Sequence, residues 1–227
     1  MPGAVVIGAG PGIGRSVARR FAREGLPVAL VARRRARVDA VAEEVGQLGV
    51  PVVALTADTA DEDALRTALD TAAAQLGEPD VLVYNAAIIQ PDAPGELSVQ
   101  AHQQAWAVNV VGALNAAAHV GPGMARRGGG TILITGGMPE TNPRYVSLSL
   151  GKAGVRALVS LLDQEYGAAG VHVATVTVAG PVAPDTAFDP DQIAEHYWLL
   201  HTQPRERWQS EVLFSGLATA GQPDWLG

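Results

Sequence analysis

The chain has 227 residues, 48% of them hydrophobic and 17% charged, and a formal net charge of −7. That composition supports a large buried core and argues against nucleic acid or an anionic membrane as a partner, since both need clustered positive charge. There are no cysteines, which excludes disulfides, thiol catalysis and cysteine-ligated zinc. No run reaches the ~18 apolar residues of a membrane span, and Ala4 to Ile7 is too short for a signal peptide. The expectation is a soluble, cytoplasmic protein. Lys152 is the only lysine among 16 basic residues, so it stands where arginine would not serve.

Apolar β-branched runs alternate with segments of helical period. Ala4 to Ile7 reads as a strand and runs into a glycine-rich loop. Ile13 to Glu24 follows as a helix with Ile13, Val17 and Phe21 on one face, stopped by Gly25. Val28 to Ala32 is the second strand, Ala36 to Leu48 the second helix, Val52 to Thr56 the third strand and Asp61 to Leu76 the third helix. Val81 to Tyr84 is the fourth strand, and one long helical stretch covers Val99 to Arg127. Thr131 to Thr135 is the fifth strand, Arg144 to Ala168 a helix, and Val171 to Val178 the sixth strand. Asp189 reads as an N-cap with Pro190 at the first helical position, opening a helix through His201. Glu211 to Phe214 is a short last strand, and Leu217 to Gly227 carry no clear signal. Regular β-α alternation with short connections predicts one α/β domain over residues 1–227. It is a doubly wound parallel sheet of about seven strands, helices on both faces, of the Rossmann type.

The loop Gly8-Ala9-Gly10-Pro11-Gly12-Ile13-Gly14 sits between the first strand and first helix. Glycine lets a backbone turn sharply and approach a pyrophosphate, while the helix start offers free N–H groups and a positive dipole end. The spacing G-x-G-x-x-G fits in neither frame, and a P-loop lacks its first glycine and its lysine. The spacing G-x-x-x-G-x-G fits Gly8, Gly12 and Gly14. The bland alternative is a glycine-rich turn that binds nothing. After the second strand, an acid would point to the ribose hydroxyl of NAD, but Arg33 and Arg34 stand there and no acid comes before Asp39. Two guanidinium groups suit a 2′-phosphate, so NADP(H) is preferred over NAD(H). The alternative is a solvated basic start to the second helix.

These motifs, in order and at these spacings, resemble the short-chain dehydrogenase/reductase family over roughly residues 3 to 216. The family glycine motif matches Ile7 to Gly14, with Ile7 in place of threonine. Asp58, beside Thr59, matches the acid that meets the adenine amine. Asn85-Ala86-Ala87 matches the motif after the fourth strand, Asn109 the asparagine of the long central helix, and Gly180-Pro181 with Val182 the turn after the sixth strand. The resemblance implies a cofactor site built from Gly8, Gly10, Pro11, Gly12, Ile13, Gly14, Arg33, Arg34, Asp58, Thr59, Asn85, Ala86, Ala87, Lys152, Gly180, Pro181 and Val182, with no metal. It also implies a homodimer or homotetramer and a small-molecule substrate, with a lid over roughly residues 181 to 205.

The family's chemistry rests on a tyrosine that exchanges the proton, a lysine four residues on that binds the nicotinamide ribose and lowers the tyrosine pKa, and a serine that polarises the carbonyl. Lys152 matches the lysine. Leu148 stands at the tyrosine position and Gly137 where the serine is expected. Tyr145 lies seven residues before Lys152, within about 20° of the same helix face and about 4.5 Å further along the axis than a residue four before it. The candidate acid is therefore Tyr145 with Lys152 and Asn109; Ser147, Ser149 and Thr135 are nearby hydroxyls. Tyr145 equally suits an ordinary first-turn aromatic. Three functions stay open: hydride transfer between nicotinamide and a carbonyl or alcohol, a cofactor-binding sensor or scaffold without redox activity, and a non-redox isomerase or cyclase. The helix after Asp189 brings His196, Tyr197, Trp198 and His201, which either line the pocket or pack the helix on the body.

Overall fold

The computed structural model describes residues 3–216; the end of the expected domain, Leu217 to Gly227, lies outside the described residues. Seven strands form one sheet in the order β3-β2-β1-β4-β5-β6-β7, all parallel: β1 (Ala4–Ile7), β2 (Val28–Ala32), β3 (Val52–Thr56), β4 (Val81–Tyr84), β5 (Gly130–Thr135), β6 (Val171–Val178) and β7 (Glu211–Phe214). The strands read as unbroken apolar runs because both faces are covered. Val6, Leu30, Val83 and Leu133 pack on one side with α1 (Ile13–Arg23), α2 (Arg35–Gly46) and α7 (Pro190–Thr202). Ile7, Val31, Leu82 and Ile132 pack on the other with α3 (Glu62–Leu76), α5 (Gly112–Arg127) and α6 (Val146–Tyr166). Strand order reverses between β1 and β4, so the crevice beyond their carboxyl ends is the expected ligand site of such a sheet.

Local chemistry sets the element ends. Asp61 caps α3 by accepting from Ala64 N, and Asp189 caps α7 by accepting from Asp191 N and Gln192 N, with Pro190 behind it. The expected single helix from Val99 to Arg127 is instead α4 (Val99–Trp106), a π-helical turn at Ala107–Val111, and α5. The cause sits at the centre of that turn. Asn109 is buried, accepts from Ile88 N at 2.7 Å and donates to Ile88 O at 3.2 Å, and a wider turn lets its side chain reach the strand-end loop.

Helix α6 starts at Val146, not at Arg144. Its own N-cap residue, Tyr145, makes no side-chain cap; the cap comes from Asp92, far back in the loop after β4. Asp92 is buried, with one carboxylate oxygen accepting from Ser147 N at 2.9 Å and the other from Ser147 Oγ at 3.1 Å. That cross-chain cap pins the loop after β4 to the start of α6, and both border the crevice.

Of the expected lid over residues 181–205, Pro181 and Val182 border the crevice, while the helix that follows packs on the body. The chain turns from β6 into α7 between Ala179 and Asp189, and α7 then lies on α1. Trp198 packs edge-on against Phe21 at 5.5 Å between ring centroids, Arg20 lies 4.9 Å over its ring, His196 meets Phe214, and Tyr197 is wholly buried. These contacts hold the helix on the body.

Candidate active site

The glycine loop is held by contacts that only glycine permits. Gly8 has φ +86°, and a Cβ there would lie 2.5 Å from Ala86 N; a Cβ on Gly14 would collide with the Gly8 carbonyl. Gly12 faces open space, and a Cβ there would meet nothing within 4 Å. Among the described residues the amides of Gly12, Ile13 and Gly14 donate to nothing outside the helix they open. Free amides at a helix start, backed by a tight loop, form an anion cradle. Pro11 is exposed at the loop tip and lines no part of the crevice.

One cavity of about 200 Å³ runs from this loop along the ends of β2 and β3. Its wall includes Gly8, Gly10, Arg33, Arg34, Arg37, Thr59, Asn85, Ala86 and Ala87. Arg33, Arg34 and Arg37 form no ion pair among the described residues, whereas Arg35 is engaged with Asp39. Arg37 is an addition to the expected set. Its signal in the sequence is its spacing, three residues after Arg34 at the start of a helix, which puts both on one side. Asp58 does not reach this wall. It spends Oδ1 on Ala60 N, tightening the turn into α3, and Thr59 stands at the cavity in its place.

A second cavity of about 830 Å³ meets the first at Asn85 and Ala87. It holds Lys152, Tyr145 and Leu148 from α6 and its N-cap, Ile13 from the glycine loop, Ile89, the stretch from Thr135 to Pro143, and Gly180, Pro181 and Val182. Lys152 Nζ is buried and donates to Thr135 O at 2.6 Å, and burial lowers its pKa to about 8. Leu148, one turn before it, is 7% exposed and puts a hydrocarbon wall beside the amine. Gly137 leaves room: a Cβ there would sit 3.6 Å from Lys152 Cε. Tyr145 is half-buried and brings a phenol to the lining of this cavity.

Two of the hydroxyl candidates lie elsewhere. Ser147 is spent on the Asp92 cap and Ser149 on Asn142, accepting from its N at 3.0 Å; both are buried and neither lines this cavity. Ser147, five residues before Lys152, is turned to another face of the helix, whereas Ser149, three before it, is taken up by Asn142. Asn109 also stays off the wall and acts on it through Ile88.

A family model described as short chain dehydrogenase matches residues 3–191. The chain belongs to the short-chain dehydrogenase family. It is 34% identical over 178 residues to cis-4-hydroxycyclohexanecarboxylate dehydrogenase of Sinomonas cyclohexanicum, covering 76% of this chain and 70% of that one. It is 31% identical over 195 residues to a 3-oxoacyl-[acyl-carrier-protein] reductase of Staphylococcus aureus, covering 85% and 79%. Among solved structures it resembles an alcohol dehydrogenase from Thermococcus sibiricus complexed with 5-hydroxy-NADP, with TM-score 0.85, 26% identity and coverage of 98% and 100%. A metagenomic short-chain oxidoreductase in complex with NADP gives TM-score 0.84 at 26% identity, covering 93% and 95%. No helix among the described residues is long and apolar enough to cross a membrane.

The lowered Lys152 pKa has a stability consequence with a definite sign. The unfolded amine keeps its proton to about pH 10.5 and the folded one to about pH 8. The folding penalty from this group is therefore fully present below pH 8 and fades as pH rises to 10.5. Lys152→Met is expected to stabilise the cofactor-free protein at pH 7 by on the order of 1–3 kcal/mol, an advantage that shrinks by about pH 10. Urea denaturation at both pH values checks this, and a gain independent of pH would contradict it.

Proposed function

We propose that this protein is a cytoplasmic NADP(H)-dependent oxidoreductase acting on a small carbonyl or alcohol substrate, with Tyr145 and Lys152 as its acid/base pair. The observation that carries the reading is one cavity lined by both residues, joined to a cavity lined by three arginines without ion-pair partners among the described residues. The residues fit the cofactor. The free amides at Gly12, Ile13 and Gly14 suit a pyrophosphate, Arg33, Arg34 and Arg37 a 2′-phosphate, and the buried Lys152 amine a ribose diol. NADPH, when bound, supplies the hydride for the carbonyl carbon.

This chain supplies the rest. Tyr145 O–H donates its proton to the substrate oxygen as that oxygen gains charge. The Lys152 ammonium stabilises the negative charge left on the phenol oxygen, and Thr135 O holds the amine in place. Ile13, Ile89, Leu148 and Val182 exclude water from the reacting carbonyl. In the alcohol direction each transfer reverses.

Removing both guanidinium groups in Arg33→Ala/Arg34→Ala is expected to raise the NADPH Kd about 10–100-fold and leave NADH binding unchanged, by fluorescence titration. Equal losses for both cofactors would remove the NADP preference. Tyr145→Phe is expected to lower kcat at least ~100-fold with KM within a few-fold, in steady-state assays of NADPH oxidation with a panel of ketones. Adding Leu148→Tyr and Gly137→Ser to that variant is expected to return turnover, because a tyrosine then stands one turn before Lys152 and Gly137 has space for a side chain. Undiminished turnover in Tyr145→Phe would overturn the assignment.

The partner is a second copy of the chain. Leu150 and Leu161 on α6 are 56% and 63% exposed and lie three turns apart on one stripe, with Trp106 of α4 half-exposed beside Leu150 in a common groove. Sedimentation velocity is expected to give a dimer or tetramer, which Leu150→Glu/Leu161→Glu dissociates; a monomeric parent protein would end this reading.

A further inference from the structure

Tyr197 lies on α7 and faces the sheet, away from the crevice. It is 0% exposed and lines neither cavity. Its hydroxyl nevertheless belongs to a run of hydrogen bonds that ends on the cofactor loop. Tyr197 OH is 2.6 Å from Thr135 Oγ1, Thr135 Oγ1 donates to Asn85 Oδ1 at 2.9 Å, and Asn85 Nδ2 donates to Gly8 O at 3.0 Å.

Counting protons fixes the direction. Gly8 O is an acceptor only, so the Asn85 amide must turn its NH₂ toward it and its oxygen toward Thr135. The single proton of Thr135 goes to that oxygen. Tyr197 must then donate to Thr135, and its phenol is held protonated because burial pushes its pKa above the usual range. The Thr135 residue also supplies, through its backbone carbonyl, the acceptor for Lys152 Nζ at 2.6 Å. One threonine at the end of β5 therefore joins α7, the glycine loop and the buried amine.

We infer that Tyr197 is a positioning residue for the cofactor site, acting through Thr135 to hold the Asn85 amide against the Gly8 carbonyl and to hold the strand end that meets Lys152. Without the phenol proton, Thr135 Oγ1 loses its donor and is free to rotate. The Asn85 amide, still aimed by the Gly8 carbonyl, then loses the fixed hydroxyl on its oxygen side, and its hydrogen bond to Gly8 O is held less firmly. Gly8 O also accepts from Gly10 N at 2.8 Å, so a loosened Gly8 loosens the turn that cradles the phosphates. This rests on the dinucleotide-binding reading above.

The test uses the full chain and Tyr197→Phe, which keeps the ring that packs in the core and removes only the hydroxyl. Amide hydrogen exchange in the cofactor-free protein is expected to be several-fold faster at Gly8, Ala9 and Gly10 in the variant. NADPH titration is expected to show a Kd raised about 5–10-fold, the size of one buried hydrogen bond. Thr135→Val is expected to give a similar rise, and adding Tyr197→Phe to it no more than about twofold further, since both cut the same chain. A purely packing role would lower Tm while leaving loop exchange and NADPH Kd unchanged, and that result overturns the inference, as does full additivity of the two substitutions. Parent protein that does not bind NADPH would overturn the functional reading. Loop exchange unaltered in Tyr197→Phe, with NADPH bound normally by the parent, would overturn this inference alone.

Discussion

A lysine amine removed from water costs several kcal/mol to keep charged, and this chain keeps its only lysine in that situation. The protein partner of Lys152 Nζ is the Thr135 carbonyl, at the last residue of β5. Much of the site is arranged around that contact. Helix α6 must start where Asp92 caps it for Lys152 to arrive opposite the end of β5, and the Asp92 cap in turn ties down the loop after β4. The π-helical turn at Asn109 fixes the other end of the same loop through Ile88. A lysine so buried, with no carboxylate beside it among the described residues, is poorly suited to adding stability and well suited to meeting a polar ligand in the crevice.

The glycine-loop end of the crevice is built on steric exclusion. Gly8 and Gly14 let the loop press against Ala86 and against itself, so the backbone amides are aimed before any ligand arrives. Three guanidinium groups left without carboxylate partners among the described residues give the neighbouring cavity a positive charge in a chain that is negative overall. The two ends thus differ in chemistry, one lined by guanidinium groups and the other by a buried amine and a phenol, with Asn85 and Ala87 at the joint.

The larger cavity departs from the pattern of the family in two ways that act together. Leu148 and Gly137 remove polar groups from the wall beside Lys152, leaving Tyr145 as the phenol on that face. The short passage from β6 to α7 leaves this wall without a covering helix, because α7 is committed to Phe21 and Arg20 of α1. An uncovered, largely apolar cavity favours selection by shape and leaves room for substrates that extend out of the crevice.

Strand positions were legible in the sequence because buried parallel strands are unbroken β-branched runs, and β1, β2, β3, β4, β6 and β7 have the expected limits. The glycine loop, Arg33, Arg34, Lys152 and Tyr145 are each marked by spacing along the chain, and the fold brings Gly8, Gly10, Arg33 and Arg34 to one cavity and Lys152 and Tyr145 to the other. What the sequence could not show was which hydroxyl faces which way. Ser147 and Ser149 have the right chemistry, but one is turned to Asp92 and the other to Asn142. Asp58 spends one carboxylate oxygen on its own turn, and the helix after Asp189 packs on the body through Trp198. The link from Tyr197 through Thr135 to Asn85 joins residues that are 62 and 50 positions apart. Sequence determined the period, the turn chemistry and the presence of each reactive group, which are local properties. Only tertiary structure decided which of those groups share a cavity, because that depends on contacts between segments whose separation along the chain carries no signal.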